Sequence, residues 1–130
     1  MAIEMKYKDI TEKIIGAAFE VYKFLGSGFQ ELIYQRALVH EFTQAKLNFV
    51  REVEQEIYYK QLQEPIGTRR ADFVVEGKVL VEIKALSKLE EVHMAQALNY
   101  LKAYRLEIGL LINFGGKSVE IKRLILSQKI

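Results

Sequence analysis

Arg70-Ala71-Asp72-Phe73-Val74-Val75-Glu76-Gly77-Lys78-Val79-Leu80-Val81-Glu82-Ile83-Lys84 is the stretch that decides the fold. Two short runs rich in β-branched residues flank Glu76-Gly77-Lys78, the pattern of two strands joined as a hairpin. Side chains alternate along a strand, so Val79, Val81 and Ile83 take one face of the second strand, and Glu82 and Lys84 take the other. A two-residue turn would pair Asp72 with Val81 and turn its carboxylate away from Glu82. The two acids share a face only if Glu76, Gly77 and Lys78 form a three-residue loop that pairs Val75 with Val79, or if a bulge near Asp72 restores a common face.

Upstream of this hairpin, Phe49 to Tyr59 reads as another strand, and Gln61 to Gly67, holding the only proline at Pro65, as a connection. Two helices precede it. Asp9-Ile10-Thr11-Glu12 has a capping-box pattern, and Ile14, Ile15, Ala18, Val21, Tyr22 and Leu25 follow at helical spacing until Gly26. Ser27-Gly28 restarts the chain, and Tyr34, Leu38, Phe42 and Ala45 stripe a second helix that ends near Leu47-Asn48. After Leu86-Ser87 the helical period returns, with Met94, Ala97, Leu98 and Leu101 on one face and His93, Gln96 and Tyr100 on another. Ile108 to Phe114 and Ser118 to Leu126 are the final strands, around a Gly115-Gly116 turn expected to use positive φ. A helix between the Val79–Lys84 and Ile108–Phe114 strands predicts a parallel crossover, hence a mixed central sheet of α/β class. No linker or repeat divides the 130 residues, which read as one domain.

Half the residues are hydrophobic and 28% charged, which argues against a disordered or fibrous chain. Without cysteine there is no disulfide framework, thiolate zinc site or thiol nucleophile, so a metal must be held by oxygen or imidazole, which points to hard ions such as Mg²⁺. There are only two histidines, no nucleophile elbow around a serine, and no Walker or dinucleotide glycine motif, which excludes serine-hydrolase and nucleotide-fold readings. A formal charge of +2 does not by itself advertise nucleic-acid binding. Met1 to Lys8 lacks the continuous apolar stretch of a signal peptide and no segment has the length of a membrane span, so a cytoplasmic protein is expected.

The chemistry is concentrated in the opening stretch. Asp72 and Glu82, brought together across the hairpin, can surround one divalent cation, and Lys84 can stabilise charge developing on a phosphate. An isolated Glu-x-Lys is ordinarily a solvated ion pair. This one lies in an otherwise apolar strand, where burial of charge is expensive and calls for a reason. An acid on one strand followed by acid-x-lysine on the next resembles the PD-(D/E)xK nuclease superfamily, with Ala71 where its usual proline stands. Gly28-Phe29-Gln30-Glu31-Leu32-Ile33-Tyr34 resembles the signature of the GxxExxY protein family, a compact branch of that superfamily. Gln96-Ala97-Leu98-Asn99-Tyr100 is similar to the Gln-x-x-x-Tyr element of RecB-like nucleases. With Ile14-Ile15-Gly16-Ala17-Ala18 and Gly109-Leu110-Leu111-Ile112-Asn113-Phe114-Gly115, the likeness runs nearly end to end.

The resemblance implies a restriction-endonuclease-like three-layer core and metal-dependent hydrolysis of phosphodiester bonds to 5′-phosphate and 3′-hydroxyl products. It implies Mg²⁺ (or Mn²⁺) held by Asp72, Glu82 and the Ile83 carbonyl, with Glu31 as a direct or water-mediated ligand and Lys84 orienting the attacking water. Read from spacing alone, Glu31 shares the inward face of Tyr34 and Leu38, or is a first-turn glutamate favoured by the helix dipole. Gln96 and Tyr100, one turn apart, either hold a phosphate or water or form the polar side of an amphipathic helix. His93 stays outside the core site, and Arg69, Arg70, Lys88 and Lys102 are phosphate contacts or plain surface charges. The implied partner is nucleic acid, DNA ahead of RNA, and analogy with small nucleases that cut two strands allows a homodimer. The rival is a non-catalytic nucleic-acid-binding or assembly module that retains the nuclease fold. In the absence of metal, Asp72→Asn and Glu82→Gln are both expected to be neutral or stabilising, because neighbouring carboxylates repel.

Overall fold

The chain begins with helices α1 (Lys8–Leu25) and α2 (Glu31–Gln44) and continues through strands β1 (Phe49–Ile57), β2 (Gly67–Val75) and β3 (Val79–Lys84). Helix α3 (Glu91–Tyr104) and strands β4 (Ile108–Asn113) and β5 (Glu120–Ile125) complete it. This is a computed structural model that describes residues 6–127; residues 1–5, part of the Met1–Lys8 stretch, lie outside the described residues.

The strands form one sheet in the order β1-β2-β3-β4-β5. Strands β3 and β4 are parallel and every other pair is antiparallel, so α3 is the crossover that the sequence predicts. Helices α1 and α2 cover one face, where Ile14, Val21, Tyr34, Leu38 and Phe42 pack against Phe73, Val81, Ile83, Leu110 and Ile112. Helix α3 covers the other, where Ala97 and Leu101 meet Ala71, Leu80, Leu111 and Leu124. The architecture is thus α/β with helices on both faces of a mixed sheet, consistent with a restriction-endonuclease-like core. Burial on both faces is why β3 and β4 read as almost unbroken apolar runs. No helix among the described residues is long and apolar enough to cross a membrane.

The β2–β3 hairpin has the register needed to bring the two acids together. Val75 pairs with Val79 and Phe73 with Val81 around a three-residue Glu76-Gly77-Lys78 loop. Glu76 (φ 54) and Gly77 (φ 66) adopt left-handed backbone, and the Lys78 N–H closes the turn on the Val75 carbonyl at 3.0 Å.

Two local expectations are corrected. Helix α1 starts before Asp9, with Tyr7 at the N-cap position and no side-chain cap, so Asp9 sits inside the first turn and meets the helix dipole instead of capping it. A capping box lies instead at α3, where His93 Nδ1 accepts the Glu90 N–H at 2.9 Å. Gly115 and Gly116 do not adopt positive φ. Gly115 is required by close approach: a Cβ there would lie 2.3 Å from the Leu86 carbonyl oxygen.

Candidate active site

Regular β2–β3 pairing stops at Phe73–Val81, one residue short of Asp72 and Glu82. The facing of β2 changes at the same place: Phe73 and Val75 pack toward α1 and α2, whereas Ala71 packs toward α3. On β1 the position between the Arg51–Phe73 and Val53–Ala71 pairs is Glu52, whose φ is 52. The strands are therefore distorted together at Asp72, and its side chain occupies the gap. Asp72 Oδ2 accepts the Ile83 N–H at 2.7 Å, and Oδ1 accepts from Gln35 Nε2 at 3.1 Å. On the other side of β3, the Lys84 carbonyl accepts the Phe114 N–H at 2.9 Å. Alternation along the strand then turns the N–H and carbonyl of Ile83 toward β2 and Asp72.

Glu82 and Lys84 point to the α3 face, where they line a cavity of about 360 Å³ with His93, Gln96, Ala97, Tyr100 and Leu111. Glu82 is only 9% exposed, and its Oε1 is buried without a hydrogen-bond partner. Burial, and then the charge of Asp72 and a hydrogen bond to it, push the Glu82 carboxyl up to about 9, with Lys84 pulling the other way. Without a cation, Glu82 is accordingly protonated at neutral pH.

Glu31 is the first residue of α2 and is exposed as a whole residue. Its carboxyl is nonetheless raised by partial burial; Lys84 opposes this, Asp72 adds to it, and a hydrogen bond from the Ala85 backbone opposes it again. Those neighbours put the head of Glu31 beside the β3 end, while Tyr34 and Leu38 of the same helix go into the core. Tyr100 is raised by burial and then by Glu82, in keeping with its place on the cavity wall.

The fold therefore brings Asp72, Glu82, Ile83 and Lys84 together, sets Gln96 and Tyr100 across the cavity from Glu82, and carries Glu31 to the same end of the sheet. Among the described residues, no three His, Asp or Glu side chains form a cluster tight enough to hold a metal ion, so Glu31 does not complete a three-carboxylate cage. What is present is a pair of carboxylates with a backbone carbonyl on the same side. That all-oxygen set, with one carboxylate oxygen buried and unpartnered, fits a hard divalent cation that keeps part of its water shell.

Several residues escaped the sequence reading. His93 lines the cavity while its Nδ1 serves the α3 cap, so it has both a structural role and a place at the site. Gln35 contacts Asp72, and its spacing of one turn from Glu31 on α2 was the available signal. Asn113 is fully buried and ties down the segment after Lys84, accepting from Leu86 N at 2.8 Å and donating to Leu86 O at 2.9 Å. Arg70 pairs with Glu54 at 2.9 Å, whereas the Arg69 guanidinium lies over the Tyr100 ring at 5.7 Å.

Residues 8–124 match the family profile described as the PD-(D/E)XK nuclease superfamily. Among solved structures, the crystal structure of SSO0001 resembles the chain with a TM-score of 0.56 at 19% sequence identity, a likeness of fold alone. The match covers 97% of this chain and 60% of that one, so the chain spans about three fifths of that protein's length. No curated protein matches the sequence significantly.

Proposed function

Because the chain belongs to the PD-(D/E)XK nuclease superfamily, we propose that it is a metal-dependent nuclease of the GxxExxY branch that hydrolyses phosphodiester bonds of nucleic acid, DNA ahead of RNA. The observation that carries this reading is the unpartnered Glu82 Oε1, buried beside Asp72 on the wall of a cavity that also presents Lys84. A desolvated acid that must keep a proton beside Asp72 is unfavourable in the empty protein, and a cation can replace that proton and supply the contact that Oε1 lacks.

Asp72, Glu82 and the Ile83 carbonyl are the residues that would hold Mg²⁺ or Mn²⁺, with Glu31 reaching toward the same end of the sheet from α2. Bound there, the ion would polarise the phosphodiester and acidify water. Lys84 shares the strand face of Glu82, where its ammonium orients a nucleophilic water and stabilises the negative charge that builds on phosphorus-bound oxygens. Gln96 and Tyr100 face the cavity from α3 and offer an amide and a hydroxyl to a substrate phosphate. Ala97 and Leu111 add apolar surface to the cavity lining.

Incubation of the protein with single-stranded, duplex and branched DNA and with RNA, in Mg²⁺ or Mn²⁺, tests the proposal. Cleavage is expected with at least one of these substrates, with Lys84→Ala lowering the rate by about 10²–10³-fold while the variant stays folded. No cleavage of any substrate, or cleavage undiminished in Lys84→Ala, would instead favour a binding module on the same fold.

A further inference from the structure

Gln35 is 5% exposed, an unusual place for a glutamine, and both ends of its amide are used. Arg51 Nη2 donates to Gln35 Oε1 at 2.5 Å, and Gln35 Nε2 donates to Asp72 Oδ1 at 3.1 Å. The direction of this chain is fixed by chemistry. A guanidinium has donors only, so Arg51 can meet only the carbonyl end of the amide, and the NH₂ end is left to face Asp72. Without Arg51 the amide oxygen loses its partner, and only the Asp72 carboxylate then holds the NH₂ in place.

The relay acts where the backbone provides least. Regular β2–β3 pairing has ended at Phe73–Val81, and the Asp72 carboxylate stands in the gap. Two donors fix its plane, Gln35 from α2 on Oδ1 and the Ile83 N–H from β3 on Oδ2. With Gln35 removed, the carboxylate is tethered by one oxygen and can turn about its Cβ–Cγ bond.

We propose that Gln35, oriented by Arg51, is a positioning residue that sets the Asp72 carboxylate for cation binding; this rests on the reading of Asp72 as a cation ligand. The role differs from filling the core, because a merely structural glutamine would affect stability without selectively loosening the Asp72–Ile83 contact.

The test uses ¹⁵N-labelled wild type, Gln35→Met, Arg51→Met and the double variant. Amide hydrogen exchange is read in metal-free protein and Mn²⁺ affinity by calorimetry. In Gln35→Met, exchange at the Ile83 amide is expected to accelerate about tenfold or more while the Leu80 and Val81 amides keep their protection, and Mn²⁺ affinity to fall about 10–100-fold. Arg51→Met should change both in the same direction by less, and the double variant should be no worse than Gln35→Met. If Gln35→Met does not fold, Arg51→Met decides by the same two readings. Unchanged Ile83 exchange and unchanged Mn²⁺ affinity in a folded variant would overturn the positioning role. Failure of the wild type to bind Mn²⁺ would overturn the cation reading and the purpose given to the relay, while Ile83 exchange would still show whether Gln35 orients Asp72.

Discussion

In metal-free buffer, Glu82→Gln is expected to be more stable than the wild type at neutral pH, and the gap should widen as pH rises from about 5 to about 9. The native Glu82 carboxyl is raised from 4.5 to about 9 by burial and by Asp72. Between those values the native state holds a proton that the unfolded chain has released, so raising the pH removes stability from the wild type. One such group contributes a slope of at most about 1.4 kcal/mol per pH unit. Glutamine does not titrate, and its NH₂ can donate to Asp72 without first taking up a proton. A gain on the order of 1–3 kcal/mol near pH 7 is reasonable for relieving one buried, unpaired acid. Denaturant unfolding of both proteins in chelator across this range checks it, and parallel stability curves would contradict it. Asp72→Asn should behave differently, although repulsion alone treats the two acids alike. Both Asp72 oxygens accept hydrogen bonds, so an amide must turn a donor toward either the Ile83 N–H or the Gln35 NH₂. A loss of about 1–3 kcal/mol is expected from that mismatch.

Gly115→Ala should be the most damaging small substitution, costing about 4 kcal/mol or more, or preventing folding. The added Cβ would lie 2.3 Å from Leu86 O, 2.4 Å from Leu86 N and 2.5 Å from Ala85 C, all backbone atoms that no rotamer change can move. That backbone is pinned. Asn113 binds both the N–H and the carbonyl of Leu86, its Nδ2 also donates to Glu120 Oε1 at 2.8 Å, and the Phe114 N–H holds the Lys84 carbonyl. Relief of the clash must therefore break a buried polar network that includes the Lys84 carbonyl. Gly116 offers a control, since the nearest atom to an added Cβ is 3.3 Å away. Chemical denaturation of both variants is the measurement, and a Gly115→Ala protein within about 1 kcal/mol of wild type would show that the segment after β3 yields.

These two residues also mark what a sequence does and does not disclose. Glu82 was legible because a charged pair interrupts an apolar strand, and alternation then tied its side to that of Lys84. The hairpin loop was legible because a regular two-residue turn would part Asp72 from Glu82, which left a three-residue loop or a bulge near Asp72, and Val75 does pair with Val79. Gly115 was noticed for the wrong reason: a glycine pair suggests a left-handed turn, whereas the actual demand comes from Leu86, far away in sequence. Gln35 was hidden for a related cause. A polar residue beside a helix stripe reads as solvent-facing unless its partner is known, and here the partners are Arg51 on β1 and Asp72 on β2. The Asp9 pattern shows the limit of local signals, since the chain enters α1 through Tyr7 and leaves that acid inside the first turn.

Thermal unfolding of the wild type, Glu82→Gln and Asp72→Asn, with and without Mg²⁺ or Mn²⁺, tests the cation site most directly because it reads binding without requiring a substrate. At a hundred times the dissociation constant, a cation bound only to the native state adds about 2.7 kcal/mol. The wild-type melting temperature should rise by several degrees and those of both variants should stay where they were; an equal rise in all three proteins would contradict the assignment of Asp72 and Glu82 as ligands.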